Sequence, residues 1–268
     1  MNPCLQDEVR QAFAEFRLLS WGGQELTPDE EVDFMRLLPH DASAPPEKAY
    51  GPLGVEGVDA DKYRRWRIPA RKEILLQGEG DVPEHYGIPS GLLNSGKPVR
   101  EWHTDGLYEQ ATPSIATSMY SISIKPVGGD TLFMDARDIY DRLDDDEREF
   151  FECASARYSR IPLSMAESGY RALYEGELAA VNNTGGLYAS AAKTRGANDP
   201  PSTTHPAVWT LPDGDRRKAL IVAPMWVASL VTKDGPVAHD DLHYKLERSL
   251  SKGEHSQVTH KWHVGDFV

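Results

Sequence analysis

One short segment of the sequence carries residue types that suit metal chemistry. His103 and Asp105 stand two positions apart in the string Glu101-Trp102-His103-Thr104-Asp105-Gly106. In a β-strand, residues i and i+2 project to the same face, so this pair can offer an imidazole nitrogen and a carboxylate oxygen to one metal ion. That would be two of the three ligands of a facial triad; the alternative is an ordinary surface turn. The spacing makes His103 and Asp105 candidate metal ligands. It does not by itself decide between a metal site and a surface turn.

The same spacing occurs once more, in His239-Asp240-Asp241. That string opens a helical pattern, in which residues i and i+2 diverge by about 200°. An aspartate there is better explained as a helix cap. His239 and His243 share a helical face at i and i+4, which suits zinc, but no third ligand accompanies them and an exposed face is the simpler interpretation.

The elements that would position these residues are mostly strands. Alternating residues from Ile115 to Phe133 indicate strand structure, closed by a turn at Gly128-Gly129. Helical patterns occupy the N-terminal region, residues 138–158 and residues 240–250, with Thr27 predicted as the cap of an early helix. The sequence therefore predicts a mainly β core with flanking helices.

Composition excludes several classes of protein. The 268 residues include 29 Lys and Arg against 42 Asp and Glu, a net charge of -13 that would repel nucleic acid and anionic membrane surfaces. The longest apolar stretch, Ala219 to Val231, is interrupted by Pro224 and is shorter than the roughly 20 residues of a membrane helix. The N-terminus lacks a secretory pattern, and two cysteines suit a reducing compartment. We expect a soluble, cytoplasmic protein with neither nucleic-acid nor membrane partners.

Several blocks of the sequence, taken in order, resemble the taurine dioxygenase (TauD/TfdA) family of iron- and 2-oxoglutarate-dependent oxygenases. These blocks are Trp102-His103-Thr104-Asp105, Lys125 to Phe133 with Gly128-Gly129-Asp130-Thr131, Tyr140 to Leu143, His205-Pro206-Ala207-Val208, Arg217 to Leu220, and Trp262 to Asp266. The stretch from Phe16 to Phe34 is similar to the opening of that family, so the resemblance runs over nearly the whole chain.

The resemblance implies a single domain over residues 1–268, folded as a double-stranded β-helix, or jelly-roll. It implies that His103 and Asp105 hold Fe(II) together with a later histidine, and that the Thr131 hydroxyl helps to hold a carboxylate of 2-oxoglutarate. The implied reaction uses O2 to hydroxylate a small organic substrate, with release of succinate and CO2. His205 marks the family pattern and is interpreted as the entry to a strand rather than as a ligand.

The resemblance also places two residues after Val268: the second iron-binding histidine and an arginine that pairs with 2-oxoglutarate. The nearby histidines are His255, His260 and His263, all before the Gly265-Asp266 turn. Two hypotheses follow. The chain is a dioxygenase of this family, or it is a catalytically inactive or truncated jelly-roll of the same ancestry, incomplete at the C-terminus.

Overall fold

Antiparallel strands and short helices make up the computed structural model. It describes residues 3–38, 67–94, 102–105, 107, 116–124, 127–158, 204–211, 216–222, 227–237 and 239–268. The helices are α1 (Pro3–Phe16), α2 (Pro28–Met35), α3 (Ala136–Asp141), α4 (Asp145–Glu152) and α5 (His239–Ser251), with a 3-10 turn at Glu254–Ser256. Among these described helices, none is long and apolar enough to cross a membrane.

The strands are β1 (Arg67–Ile68), β2 (Arg71–Leu75), β3 (Glu79–Val82), β4 (Gly91–Asn94), β5 (Thr131–Phe133), β6 (Ser155–Tyr158), β7 (Thr204–Pro206), β8 (Val208–Thr210), β9 (Lys218–Leu220), β10 (Val227–Thr232), β11 (Gly235–Pro236) and β12 (Val258–His260). A sheet with the order β11-β10-β6-β7 is the largest in the described part of the chain. Further antiparallel pairs are β1-β2, β3-β4, β5-β12 and β8-β9. The prediction of a mainly β protein with flanking helices is confirmed.

The main core lies between the four-stranded sheet and helices α4 and α5. Alternate residues of β6, Ala156 and Tyr158, are buried, as a half-buried strand requires. In α5, Leu242 and Leu246 are one turn apart, so both side chains lie on the same buried face of the helix. Phe151 of α4 is completely buried in this cluster. A smaller core beside β1 and β2 is centred on Ile68, Leu76 and Ile88.

Local signals located several helices correctly. Thr27 caps α2 in a reciprocal arrangement: its side chain accepts from the Glu30 backbone, and the Glu30 carboxylate accepts from the Thr27 backbone. The predicted helix over residues 138–158 was wrong in its extent. The structure divides it into α3, α4 and β6, because Asp144 caps a new helix with the same arrangement and the chain turns into a strand at Ser155.

The last residues of the chain lie between two earlier segments. Backbone N–H and C=O groups of Phe267 pair with those of Trp21, at 2.8 and 2.9 Å, and those of Val268 pair with Met119, at 2.8 and 3.0 Å. Tyr120, the residue after Met119, forms an isolated antiparallel β-bridge with Phe267. The strand structure predicted from Ile115 to Phe133 is thus shorter than expected in its described part, where it is reduced to these bridges and β5.

The sequence also indicates loops over residues 39–57, which are rich in Pro, Gly and Ala, and over residues 182–204, which are rich in Asn, Gly, Ser, Thr and Pro. Both ranges lie outside the described residues, except for Thr204, which opens β7.

Candidate functional site

The side chains of His103 and Asp105 meet, as the spacing predicted. Nε2 of His103 lies 3.3 Å from Oδ1 of Asp105, and 33% and 57% of the two side chains are exposed to solvent. Residues 102–105 form no strand, and Asp105 lies in a turn. The expected convergence is therefore present, although it comes from a turn and not from the alternation of a strand.

Hydrogen bonds keep Asp105 in its ionised form. The hydrogen bond from His103 lowers the pKa of Asp105 below its ordinary value, and a further bond from Thr117 acts in the same direction against the effect of burial. A carboxyl group binds a cation only after it has lost its proton. Asp105 is thus ionised and has an imidazole nitrogen beside it, which is the state that a metal ligand would need.

The segment that carries this pair is anchored to the sheet. Leu107 is 1% exposed, and its carbonyl oxygen lies 2.9 Å from Nε2 of His205. His205 is in β7, as the strand-entry interpretation predicted, and is buried between the rings of Tyr158 and Trp209. A carbonyl oxygen only accepts hydrogen bonds, so Nε2 of His205 carries the proton.

Thr131, the predicted contact for 2-oxoglutarate, is the first residue of β5. It follows a turn in which Gly128 and Gly129 have φ of 80° and 87°, the conformation that the glycine pair predicted. The Thr131 hydroxyl oxygen accepts a hydrogen bond of 2.9 Å from the indole N–H of Trp262. Across the β5-β12 pair, Thr131 faces His260.

The later histidines contact other residues. Nε2 of His260 lies 3.2 Å from the buried carboxylate of Asp266, and Nδ1 of His263 lies 3.6 Å from the same oxygen. The side chain of His255 is 3.5 Å from Asp138. Nowhere in the described residues do three or more His, Cys, Asp or Glu side chains form a group that could hold a metal. None of these histidines therefore completes a three-residue site with His103 and Asp105.

The helical zinc alternative concerns His239 and His243. Helix α5 begins at His239, so the prediction that His239-Asp240-Asp241 opens a helix is confirmed. The side chains of His239 and His243 lie outside the described part of the structure.

A groove of about 440 Å³ is lined in part by Trp102, the residue before His103. Met134, which follows β5, and Glu247 and Leu250 of α5 line it as well; His103 and Asp105 are not among its lining residues. The groove joins elements that are far apart in the sequence. No local pattern could have revealed it, and the same holds for the contacts of Trp262 with Thr131 and of Asp266 with His260.

Comparisons with known proteins agree on one family. Residues 2–268 match the family model described as "Taurine catabolism dioxygenase TauD, TfdA family". The chain is 34% identical to the alpha-ketoglutarate-dependent dioxygenase oryG of Aspergillus oryzae over 97 residues, which are 35% of this chain and 28% of that protein. It is 27% identical to the (S)-phenoxypropionate/alpha-ketoglutarate-dioxygenase of Sphingobium herbicidovorans over 165 residues, which are 61% of this chain and 47% of that protein.

These matches differ in how much of each protein they cover. The chain spans less than half the length of the curated relatives that it matches. Among solved structures, that of AAD-2 in complex with Mn(II) and N-oxalylglycine is similar with a TM-score of 0.56 and 15% identity, covering 100% of this chain and 77% of that one. At this identity the likeness shows a shared fold.

Proposed function

Because the chain belongs to the taurine catabolism dioxygenase TauD, TfdA family, we propose that it is an Fe(II)- and 2-oxoglutarate-dependent dioxygenase that hydroxylates a small organic substrate. Succinate and CO2 are the co-products. The observation that carries the proposal is the contact of 3.3 Å between Nε2 of His103 and Oδ1 of Asp105. Both curated relatives are dioxygenases that use α-ketoglutarate, another name for 2-oxoglutarate.

The geometry of His103 and Asp105 fits a shared metal ion. Imidazole nitrogen and carboxylate oxygen bind ions such as zinc at about 2.1 Å, so two such atoms 3.3 Å apart are close enough for one ion to contact both. The combination of imidazole and carboxylate is also the donor set that an Fe(II) oxygenase site would use. His103 and Asp105 are the proposed ligands.

Each proposed residue has a separate task. His103 and Asp105 hold the metal, and the Thr131 hydroxyl donates a hydrogen bond to a carboxylate of 2-oxoglutarate. When bound, Fe(II) supplies the one-electron chemistry that reaction with O2 requires. The remaining task of the protein is to orient co-substrate and substrate and to exclude water. The groove beside Trp102 and Met134 is a candidate place for the organic substrate.

The jelly-roll, with residues 1–268 as one domain, is the fold that we propose for the whole chain. The antiparallel pairing of every described sheet supports it. The cytoplasmic location and the lack of nucleic-acid and membrane partners stay predictions.

A second candidate function is a non-catalytic jelly-roll of the same ancestry. It is favoured by one observation: within the described residues, no third His, Cys, Asp or Glu joins His103 and Asp105 in a metal-binding group. With two protein ligands, water can occupy the remaining metal positions in several geometries. Such a protein would bind metal weakly and release no succinate.

Succinate release separates the two candidates. The 268-residue chain is assayed with 2-oxoglutarate, Fe(II), ascorbate and air. A second form, extended by whatever residues the gene encodes after codon 268, is assayed in the same way. Succinate that depends on 2-oxoglutarate and disappears in Asp105→Ala supports the dioxygenase. Succinate from neither form, with both forms folded, supports the non-catalytic alternative.

A further inference from the structure

Trp262 contacts the residue proposed to bind the co-substrate. Its indole N–H donates to Oγ1 of Thr131 over 2.9 Å, although 131 residues separate the two in sequence. The pairing of β5 with β12 sets Thr131 opposite His260, and Trp262 follows two residues later. Both side chains are partly buried, so water does not fully compete for this hydrogen bond.

The chemistry of the two groups fixes the direction of the hydrogen bond. An indole only donates, so the Thr131 oxygen must accept. A threonine hydroxyl has one proton and two lone pairs, and a lone pair engaged by Trp262 leaves the proton free for another acceptor. The carboxylates of 2-oxoglutarate only accept hydrogen bonds. The hydrogen bond from Trp262 therefore favours Thr131 as a hydrogen-bond donor to a carboxylate ligand.

Trp262 is itself held in place by its neighbours. The His260 ring contacts it edge to face, with centroids 4.5 Å apart and planes at 84°. Nε2 of His260 lies 3.2 Å from Asp266, which is 4% exposed and accepts a hydrogen bond of 2.8 Å from the His263 backbone N–H. These contacts limit the orientations of the indole, so its N–H points at Thr131 before any ligand arrives.

We infer that Trp262 is a positioning residue for the co-substrate: its indole N–H orients the Thr131 hydroxyl so that the hydroxyl proton is directed at a carboxylate of 2-oxoglutarate. This inference rests on the proposed function, in which Thr131 binds that carboxylate. In this inference Trp262 does not contact 2-oxoglutarate. It acts by orienting Thr131, which does.

The test is a double-mutant cycle on binding. Trp262→Phe removes the N–H and keeps an aromatic ring, and Thr131→Val removes the hydroxyl and keeps the shape. Dissociation constants for 2-oxoglutarate are measured by calorimetry without oxygen on Mn(II)-loaded protein, so that no turnover is involved. We expect Trp262→Phe to weaken binding by about 5- to 10-fold, the range of a typical hydrogen bond. The double variant should be no weaker than Thr131→Val alone.

The matched control is Trp209→Phe. Trp209 also donates its indole N–H to an oxygen, the carbonyl of Pro206 at 2.8 Å, but it does not contact Thr131. This variant should bind 2-oxoglutarate as the wild type does, and the Mn(II) affinity of Trp262→Phe should be unchanged. Together these two results would show that Trp262→Phe weakens 2-oxoglutarate binding through the orientation of Thr131 and not through a general loss of structure.

The outcomes distinguish this inference from the function on which it rests. Weaker binding in Thr131→Val with normal binding in Trp262→Phe would overturn the inference and leave the proposed function intact. Additive effects of the two substitutions would overturn it as well, because Trp262 would then act independently of Thr131. Wild-type protein that binds Mn(II) but not 2-oxoglutarate would overturn both the inference and the proposed function.

Discussion

His205 donates a hydrogen bond from Nε2 to the carbonyl oxygen of Leu107, 98 residues earlier in the chain, and both residues are almost completely buried. Leu107 lies two positions after Asp105. The bond therefore connects strand β7 of the main sheet to the short segment that carries the proposed metal ligands. A turn with exposed side chains gains a fixed attachment to the core in this way.

Removal of this bond should weaken both the fold and the metal site. His205→Phe keeps an aromatic ring against Tyr158 and Trp209, and it takes the donor away from the buried Leu107 carbonyl. The expected cost is roughly 1–3 kcal/mol of stability. Fe(II) affinity should fall roughly tenfold, as for outer residues that hold metal ligands.

His205→Gln is the matched variant, because the glutamine amide can place an N–H near the position of the imidazole Nε2. It should recover most of the lost Fe(II) affinity. Urea unfolding and Fe(II) titration report the two effects separately. Normal metal affinity in a destabilised His205→Phe protein would show that the histidine serves only the core.

The metal pair can be tested without turnover. His103→Ala and Asp105→Ala should each abolish measurable Fe(II) binding, since one remaining side chain is a poor anchor for the ion. Both side chains are partly exposed to solvent, so circular dichroism and the unfolding midpoint should change little. His255→Ala, a partly exposed histidine that contacts Asp138, is the control and should keep its iron. Iron stoichiometry that is unchanged in both test variants would refute the assignment.

Local chemistry explains which parts of the fold were predictable. The start of α2 follows from Thr27 and Glu30, because a cap depends on neighbours within one turn. Helix α5 begins where the sequence indicated, but its first residue is His239, so Asp240 and Asp241 lie within the first turn and are not its cap. The prediction of a single long helix over 138–158 was wrong because of another local cap. Asp144 is a strong cap, and the chain stops and restarts there.

The site was predictable only where its residues are close in sequence. His103 and Asp105 were identified by their spacing, and the structure brings them together. The contact of Trp262 with Thr131 depends on how β5 and β12 pair, which no short-range periodicity encodes. The contact of His205 with Leu107 depends likewise on the tertiary packing of β7.

Gly265 should be intolerant of a side chain. Its φ is +86°, and a Cβ there would lie 2.8 Å from the carbonyl oxygen of Gln24. The Gln24 N–H also donates to Gly265 over 2.7 Å, so the two backbones cannot separate without loss of that bond. We expect Gly265→Ala to cost roughly 2–5 kcal/mol, the sum of the positive-φ and overpacking penalties.

Gly128 provides the comparison, because its φ of +80° is similar and nothing lies within 4 Å of the position of its Cβ. Gly128→Ala should cost only the conformational part, roughly 1–2 kcal/mol. Chemical unfolding of the two variants measures the difference. Equal losses would mean that the contact with Gln24 contributes nothing.

Glu31, in the first turn of α2, should make the stability of the protein depend on pH. Burial raises the pKa of Glu31 from its ordinary 4.5 to about 7. The folded protein therefore holds this proton between pH 4.5 and 7 while the unfolded chain releases it, so stability falls as the pH rises through that window. Above pH 7 the folded state carries the whole penalty of a buried charge.

Glu31→Gln removes the charge and nearly preserves the shape. The full shift corresponds to roughly 3 kcal/mol. The residual solvent contact of the side chain, and the favourable position of a carboxylate at a helix N-terminus, reduce the expected gain to the order of 1 kcal/mol at pH 8. At pH 4 the variant and the wild type should be equally stable. Urea unfolding at pH 4, 6 and 8 measures this, with the exposed Glu8→Gln as a control that should show no such trend. A Glu31→Gln protein that is less stable than the wild type at pH 8 would mean that the carboxylate is stabilised by a partner, and the buried-charge explanation would be wrong.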